Sequence, residues 1–259
     1  MLLSVSGLTK SFGGVRAVDE VSFDVAEGSL TALIGPNGAG KTTAFNLISG
    51  FIRPDRGSVG FAGKPIAGRR GDVVARHGLV RMFQTPRVLT RMTVLENVML
   101  AAPDQPGERL AMPFLMPRRV RRREAEIRAR AAALIDLLRL GPLANAFAGT
   151  LSGGQRKLLE LGRALIAEPR MILLDEPMAG VAPVLAGELL GHIRTLRAER
   201  GITVFLIEHD MDVVMSVSER VIVMDEGRVI ADGSPAAVQV SERVIEAYLG
   251  RAQSPAVAP

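Results

Sequence analysis

Apolar and polar residues alternate at positions 3–8 and 18–25, which predicts half-buried strands. Positions 30–34 are apolar almost throughout and predict a buried strand. A helix is expected from Lys41 to Ser49, ended by Gly50 and the turn Pro54-Asp55-Arg56-Gly57. A further strand pair is expected at 58–61 and 79–83. The character then changes. Positions 93–102 read as helical, and prolines at 103, 106, 113 and 117 predict a surface loop. The stretch 118–140 turns from charged to apolar at helical spacing, with Ile127, Leu134, Ile135 and Leu138 on one face. Apolar runs return at 171–174 and 202–207, as parallel strands covered on both faces require. Helices at about 184–200 and 211–218 separate the strands. Segments 221–224 and 228–231 flank Asp225-Glu226-Gly227 and predict a hairpin. Ser234-Pro235 supplies the cap and first position of a C-terminal helix, and another helical stretch ends near Gly250. The pattern gives one domain over 1–250, with a helical subdomain at about 85–170 and a frayed tail at 251–259.

Composition narrows the class. With 259 residues, 47% hydrophobic and 23% charged, the chain is expected to be folded and globular. It has no cysteine, which excludes disulfides and thiolate metal sites. No apolar run reaches the length of a bilayer span, and no signal peptide is expected. The net charge of +5 and the pI near 10.3 admit two readings. One is attraction to nucleic acid or an anionic membrane face. The other is a GC-rich base composition, which favours arginine and alanine. One dense basic cluster stands out: Arg118, Arg119, Arg121, Arg122 and Arg123.

The candidate chemistry begins directly behind the apolar run 30–34, with Gly35, Pro36, Asn37, Gly38, Ala39, Gly40, Lys41, Thr42 and Thr43. A strand that ends in such a loop and opens a helix turns its backbone N–H groups toward phosphate oxygens. Lys41 is placed to reach the β- and γ-phosphates of a nucleotide, and the Thr42 hydroxyl to ligate Mg²⁺. The competing reading is a glycine-rich turn that binds nothing. Two later motifs weigh against it. Leu151-Ser152-Gly153-Gly154-Gln155 stands before a helix expected to begin near Arg156, and Met171-Ile-Leu-Leu-Asp175-Glu176 is an apolar strand ending in two carboxylates.

Taken in this order, with Gln84 and His209, the motifs make the chain resemble the nucleotide-binding subunits of ABC transporters over almost its full length. The segments Ile207-Glu-His-Asp-Met211 and Ala247-Tyr-Leu-Gly250, with the basic insertion before the signature, look most like the branched-chain amino acid uptake subfamily. The resemblance implies an α/β fold: a P-loop NTPase core with a mainly parallel sheet, an antiparallel β subdomain and a helical signature subdomain.

Roles follow by resemblance. Asp175, at a strand end, is suited to hold Mg²⁺ through its water shell, and Glu176 polarises the water that attacks the γ-phosphate of ATP. Gln84 ligates Mg²⁺ and senses the γ-phosphate, and His209 contacts that phosphate. Phe12, before Gly13-Gly14, stacks on adenine. Ser152, Gly153, Gly154 and Gln155 close over ATP held by a second ATP-binding subunit, identical or homologous. The remaining implied partners are two integral-membrane permease subunits and, indirectly, an extracytoplasmic solute-binding protein. No nucleic acid is implied. The expected place is the cytoplasmic face of the membrane. One departure is visible: where the family commonly has an acidic residue after Glu176-Pro177, this chain has Ala182. The alternatives are the ATPase of a lipid or lipopolysaccharide exporter, or a soluble ABC ATPase outside transport.

Overall fold

Three five-residue runs, Leu30–Ile34, Met171–Asp175 and Thr203–Ile207, are buried at every position. Strands of this kind need cover on both faces, and parallel pairing supplies it. The computed structural model describes residues 1–83, 86–105, 107 and 112–252, with the side chains of 112, 113 and 250–252 excepted. In chain order its elements are β1 (Leu3–Phe12), β2 (Val15–Val25), β3 (Leu30–Ile34), α1 (Lys41–Ile48), β4 (Arg56–Phe61), β5 (Lys64–Pro65), α2 (Gly71–Arg76) and β6 (Leu79–Met82). They continue as α3 (Val94–Leu100), α4 (Met112–Leu115), α5 (Pro117–Leu137), α6 (Gly153–Leu165), β7 (Met171–Asp175), α7 (Pro183–Arg200) and β8 (Thr203–Ile207). The last are α8 (Met211–Val217), β9 (Arg220–Asp225), β10 (Arg228–Gly233), α9 (Pro235–Gln239) and α10 (Glu242–Ala252).

Two compact units share these elements. One holds the described residues of 1–81, 170–177 and 193 onward; the other holds those of 82–169 and 178–192. The first unit carries a four-stranded sheet in the order β2-β1-β4-β5 and most of a six-stranded sheet in the order β10-β9-β3-β8-β7-β6. The small sheet is antiparallel, while β3 pairs in parallel with β8 and β9, and β7 with β8. The strand pair expected at 58–61 and 79–83 is not a pair: β4 lies beside β1 in the small sheet, and β6 lies beside β7 in the large one. The period-two pattern marks each segment as a strand but carries no information about its neighbour.

Alternate residues of β3 serve two cores. Leu33 packs with Phe45, Phe61, Phe205 and Ile207 on one face, and Ala32 and Ile34 pack with Val214, Val221, Val223 and Val244 on the other. Phe205 anchors the first core, with ring centroids 5.0 Å from Phe45 and 5.4 Å from Phe23. The second unit is helical. α5 buries Val120, Ile127, Ala131, Leu134 and Ile135, at the spacing of a single helical face.

Candidate functional site

The expected site residues of the first unit gather where strands end. β3, β8 and β7 are consecutive neighbours and parallel, so their carboxyl ends lie along one edge. In open α/β sheets ligands bind at this edge. β3 runs into Gly35–Thr43, β8 leads to Glu208 and His209, and β7 ends at Asp175 followed by Glu176.

The loop after β3 is locked by backbone on its outer side. A Cβ at Gly35 (φ +146°) would sit 1.9 Å from the Met224 carbonyl oxygen, and one at Gly40 (φ +95°) 2.2 Å from that of Ala17. Only glycine fits such approaches, and the left-handed φ at Gly40 favours it further. The Gly227 N–H donates to the Ala39 carbonyl at 3.1 Å, and the Asp19 N–H donates to the Gly227 carbonyl at 2.8 Å. The β9–β10 turn therefore straps the loop to β2. Asp19 is buried between Arg228 and Arg16, and the Arg228 hydrogen bonds, with those of Arg16, hold its carboxyl below the usual range.

On its inner side the loop opens α1. Gly40 caps this helix without a side-chain hydrogen bond, and its first turn has no acidic residue. An uncapped, acid-free helix start offers N–H groups and positive dipole to an anion. Lys41 is nearly buried, and its Nζ donates to the carbonyls of Gly35 (2.7 Å) and Pro36 (2.9 Å). Thr42 is exposed and its hydroxyl makes no hydrogen bond within the described chain.

Asp175 is buried, and its Oδ2 lies 2.7 Å from Nη2 of Arg81, itself buried on β6. Arg81 also donates to Asn46 Oδ1 at 2.5 Å and Ser49 Oγ at 3.3 Å, which joins β7 to α1. Sequence reading missed Arg81. Its signal is a lone charge inside the apolar run Leu79-Val80-Arg81-Met82. Glu176 has φ +47°, and its N–H donates to the Ile207 carbonyl at 3.0 Å. Such a φ is uncommon outside glycine and is held by the surroundings. The carboxylate is partly exposed, with Oε1 3.9 Å from Nδ1 of His209. That nitrogen is also 3.8 Å from Oε2 of the buried Glu208. Neighbouring strands thus bring a carboxylate and an imidazole together across a wide gap in sequence. Phe12 lies elsewhere in this unit, at the tip of the β1–β2 hairpin. The residue is 46% exposed, with Nζ of Lys10 5.6 Å from the ring centroid.

The second unit carries the signature. The helix expected near Arg156 begins at Gly153, with Ser152 as its cap. The Ser152 hydroxyl accepts from the Gln155 N–H at 3.3 Å, and Gln155 Oε1 accepts from the Ser152 N–H at 2.9 Å. This reciprocal capping box moves the helix start earlier than apolar periodicity suggests. Gly153 is exposed with open space above its Cα, and the Ser152 hydroxyl keeps its proton for donation. Further along α6, Nζ of the buried Lys157 donates to the Ala179 carbonyl at 2.5 Å. That contact steadies the segment leading to Ala182.

Gln84 lies outside the described residues. Its neighbour Phe83 donates its N–H to Oε1 of Glu160 at 3.3 Å. Glu160 is buried, and burial pushes its carboxyl up to about 7 despite nearby Arg163 and Lys157. Beyond the segment, the fully buried Asn97 accepts from the Leu89 N–H at 2.8 Å and donates to the carbonyls of Leu89 and Thr93 at 3.0 and 2.9 Å. No motif marks Glu160.

A family model described as ABC transporter matches residues 18–179, and one described as branched-chain amino acid ATP-binding cassette transporter matches residues 228–253. The chain is 41% identical over 251 residues to a Pseudomonas aeruginosa protein named high-affinity branched-chain amino acid transport ATP-binding protein BraF, covering 97% of this chain and 98% of that one. Among solved structures, a nucleotide-free ATP-binding cassette from an ABC transporter matches with a TM-score of 0.82 at 40% identity, over 95% of this chain and 98% of that chain. A dimeric cassette in a post-hydrolysis state, bound to ADP and phosphate, matches with a TM-score of 0.74 at 25% identity, over 90% and 99%. Because the family match covers more than half of the chain and similar proteins align with it nearly end to end, the chain belongs to the ABC transporter family, as an ATP-binding cassette with the fold of a P-loop ATPase.

Proposed function

We propose that this cassette hydrolyses ATP to drive a membrane importer of branched-chain or related amino acids. The row of strand ends carries the reading: an uncapped helix start behind β3, a buried carboxylate at the end of β7, and Glu176 facing His209. Backbone N–H groups of Gly35–Thr43 and the Lys41 ammonium bind the phosphates. Lys41 exchanges its loop carbonyls for phosphate oxygens, which are stronger acceptors for an ammonium. Mg²⁺, carried with the nucleotide, would neutralise phosphate charge. Such an ion would need few protein ligands, because water and phosphate supply hard oxygens as well. The exposed Thr42 hydroxyl is a hard oxygen donor that fits it, the Asp175 carboxylate would hold it through its water shell, and Gln84 is the third candidate. Glu176 accepts a hydrogen bond from the attacking water. The water oxygen bonds to the γ-phosphorus as its proton passes toward Glu176, the bond to the β–γ bridging oxygen breaks with its electron pair staying on ADP, and ADP and inorganic phosphate leave as the proton passes on to phosphate or solvent. His209 holds the γ-phosphate during this step. Positioning and electrostatics supply most of such catalysis.

Ser152–Gln155 presents donors and no reactive group, which supports a role on nucleotide held by another cassette. The dimeric solved relative supports the same reading. Closure of two cassettes around ATP would then pull on two permease subunits at the cytoplasmic face, with a solute-binding protein on the far side. Phe12 is assigned to adenine stacking. The substrate class rests on the name of the Pseudomonas relative and on the match at residues 228–253. Neither supports the lipid-exporter or soluble alternatives. The test is amino-acid uptake by vesicles holding the whole complex, wild type against Glu176→Gln. Uptake that depends on ATP and fails in the variant is expected; unaltered uptake by the variant overturns the mechanism.

A further inference from the structure

The basic cluster of the sequence finds no use in the ATP site, and its placement is unusual. Arg118, Arg119, Arg121, Arg122 and Arg123 occupy the first two turns of α5, which has no acidic residue in its first turn. Cations at a helix N-terminus oppose the macrodipole. Neighbouring acids do not compensate them fully. Arg122 and Arg123 share Glu126 at 3.7 and 3.4 Å, while Arg118, Arg119 and Arg121 make no ion pair or hydrogen bond within the described chain.

Their distribution is a collar. Val120 and Ile127 mark the buried face of α5. At about 100° per residue, Arg118 and Arg122 fall opposite that face, and Arg119 and Arg121 fall on its two flanks. These four positions span about 6 Å along the axis. Immediately before them come three exposed apolar side chains: Phe114 at 87%, Leu115 at 74% and Met116 at 47%. An apolar tip followed by a basic collar is what an anionic bilayer surface accommodates. The tip enters the headgroup layer and the arginines meet lipid phosphates around it. Stable membrane contact takes two such signals together, apolar burial and a polybasic patch. A groove on an acidic protein would need carboxylates matched to one helix face, and the collar has no single face to match.

We propose that 114–122 is a contact for the anionic phospholipid surface, which presses this cassette against the bilayer beside its membrane partners. The test floats the full chain with vesicles of phosphatidylglycerol and phosphatidylcholine, and with pure phosphatidylcholine vesicles, at low and at physiological salt. The expected result is partition to the anionic vesicles, weakened by salt and about tenfold lower or more on the zwitterionic ones. Each arginine near such a surface contributes about fivefold. Replacing Arg118, Arg119, Arg121 and Arg122 together by Gln should therefore lower partition by about tenfold at least. Phe114→Ser with Leu115→Ser should lower it several-fold. Both variants should hydrolyse ATP in solution as the wild type does, which shows that they fold. No partition of the wild type, or equal partition by the arginine variant, overturns the proposal. If the wild type ignores vesicles and the arginine variant instead loses its membrane subunits on purification, an acidic protein is the occupant and the lipid proposal fails.

Discussion

The glycine loop at 35–43 and the turn at Ser152 each open a helix, and the two openings are built in opposite ways. α1 starts at Gly40 with no side-chain cap, and its loop is held from outside by β2 and the β9–β10 turn. α6 starts with a complete capping box, in which Ser152 and Gln155 satisfy each other's backbone N–H groups. The first leaves helix-end donors for a ligand and takes its rigidity from distant backbone. The second takes its rigidity from its own side chains and presents little beyond the Ser152 hydroxyl and the open face of Gly153. A binding surface can thus be shaped by contacts far along the chain or by four consecutive residues. Different mutations should break each kind.

Glu176→Gln sharpens the chemical side of the contrast most. Turnover should fall by about 10²–10⁴, the range for a lost general base, while ATP binding persists. Phosphate release and nucleotide titration measure the two separately, and loss of both together would mean that Glu176 shapes the loop instead.

Arg81→Ala tests the long-range scaffold. It leaves Asp175 buried beside no cation, at a cost of about 3–5 kcal/mol in folding stability. Denaturant unfolding reads this directly. A cost below about 1 kcal/mol would show that the pair is not what holds β6 to the site.

Glu160 gives the helical unit a pH dependence. Its carboxyl is raised from 4.5 to about 7 by burial, so the folded state binds the extra proton between those values. Stability should then be greatest below pH 4.5, as far as this group is concerned, and fall as pH rises through about 7. The full effect is about 3 kcal/mol. Glu160→Gln should flatten that slope, and an unchanged slope in the variant would assign it to another group.

The smallest effect belongs to the local cap. Ser152→Ala removes one hydrogen bond at a helix start and should cost about 0.5–2 kcal/mol. Amide exchange at Gln155 should quicken while α1 stays protected. Equal loosening of α1 would erase the distinction between the two openings.

The motifs were legible because each is contiguous. Gly35–Thr43, Ser152–Gln155 and Asp175-Glu176 announce their turns through local spacing, and local spacing is what a sequence displays. The capping box shifted the start of α6 from Arg156 to Gly153, although Ser152 and Gln155 stand three apart in plain view. Apolar periodicity marks the later start, while the cap sets the true one. Arg81, Asn97 and Glu160 were not legible as parts of the scaffold. Their partners lie across strands or helices, and a single charged or amide residue in an apolar run does not name them.

By itself the sequence determined most of the long strands and helices, the glycine loop that opens a helix, and the paired carboxylates at the end of an apolar strand; it showed neither β5 nor α2, and it put a loop where α4 forms. These depend on side-chain periodicity and on glycine's freedom, which act within a few residues. Only the tertiary structure decided that β4 and β6 belong to different sheets, and that Asp175 is held by Arg81. Only it showed that Glu176 adopts φ +47° with His209 beside it, and that the β9–β10 turn straps the glycine loop. Strand neighbours are chosen by burial of two faces at once, and that choice is made by the whole core.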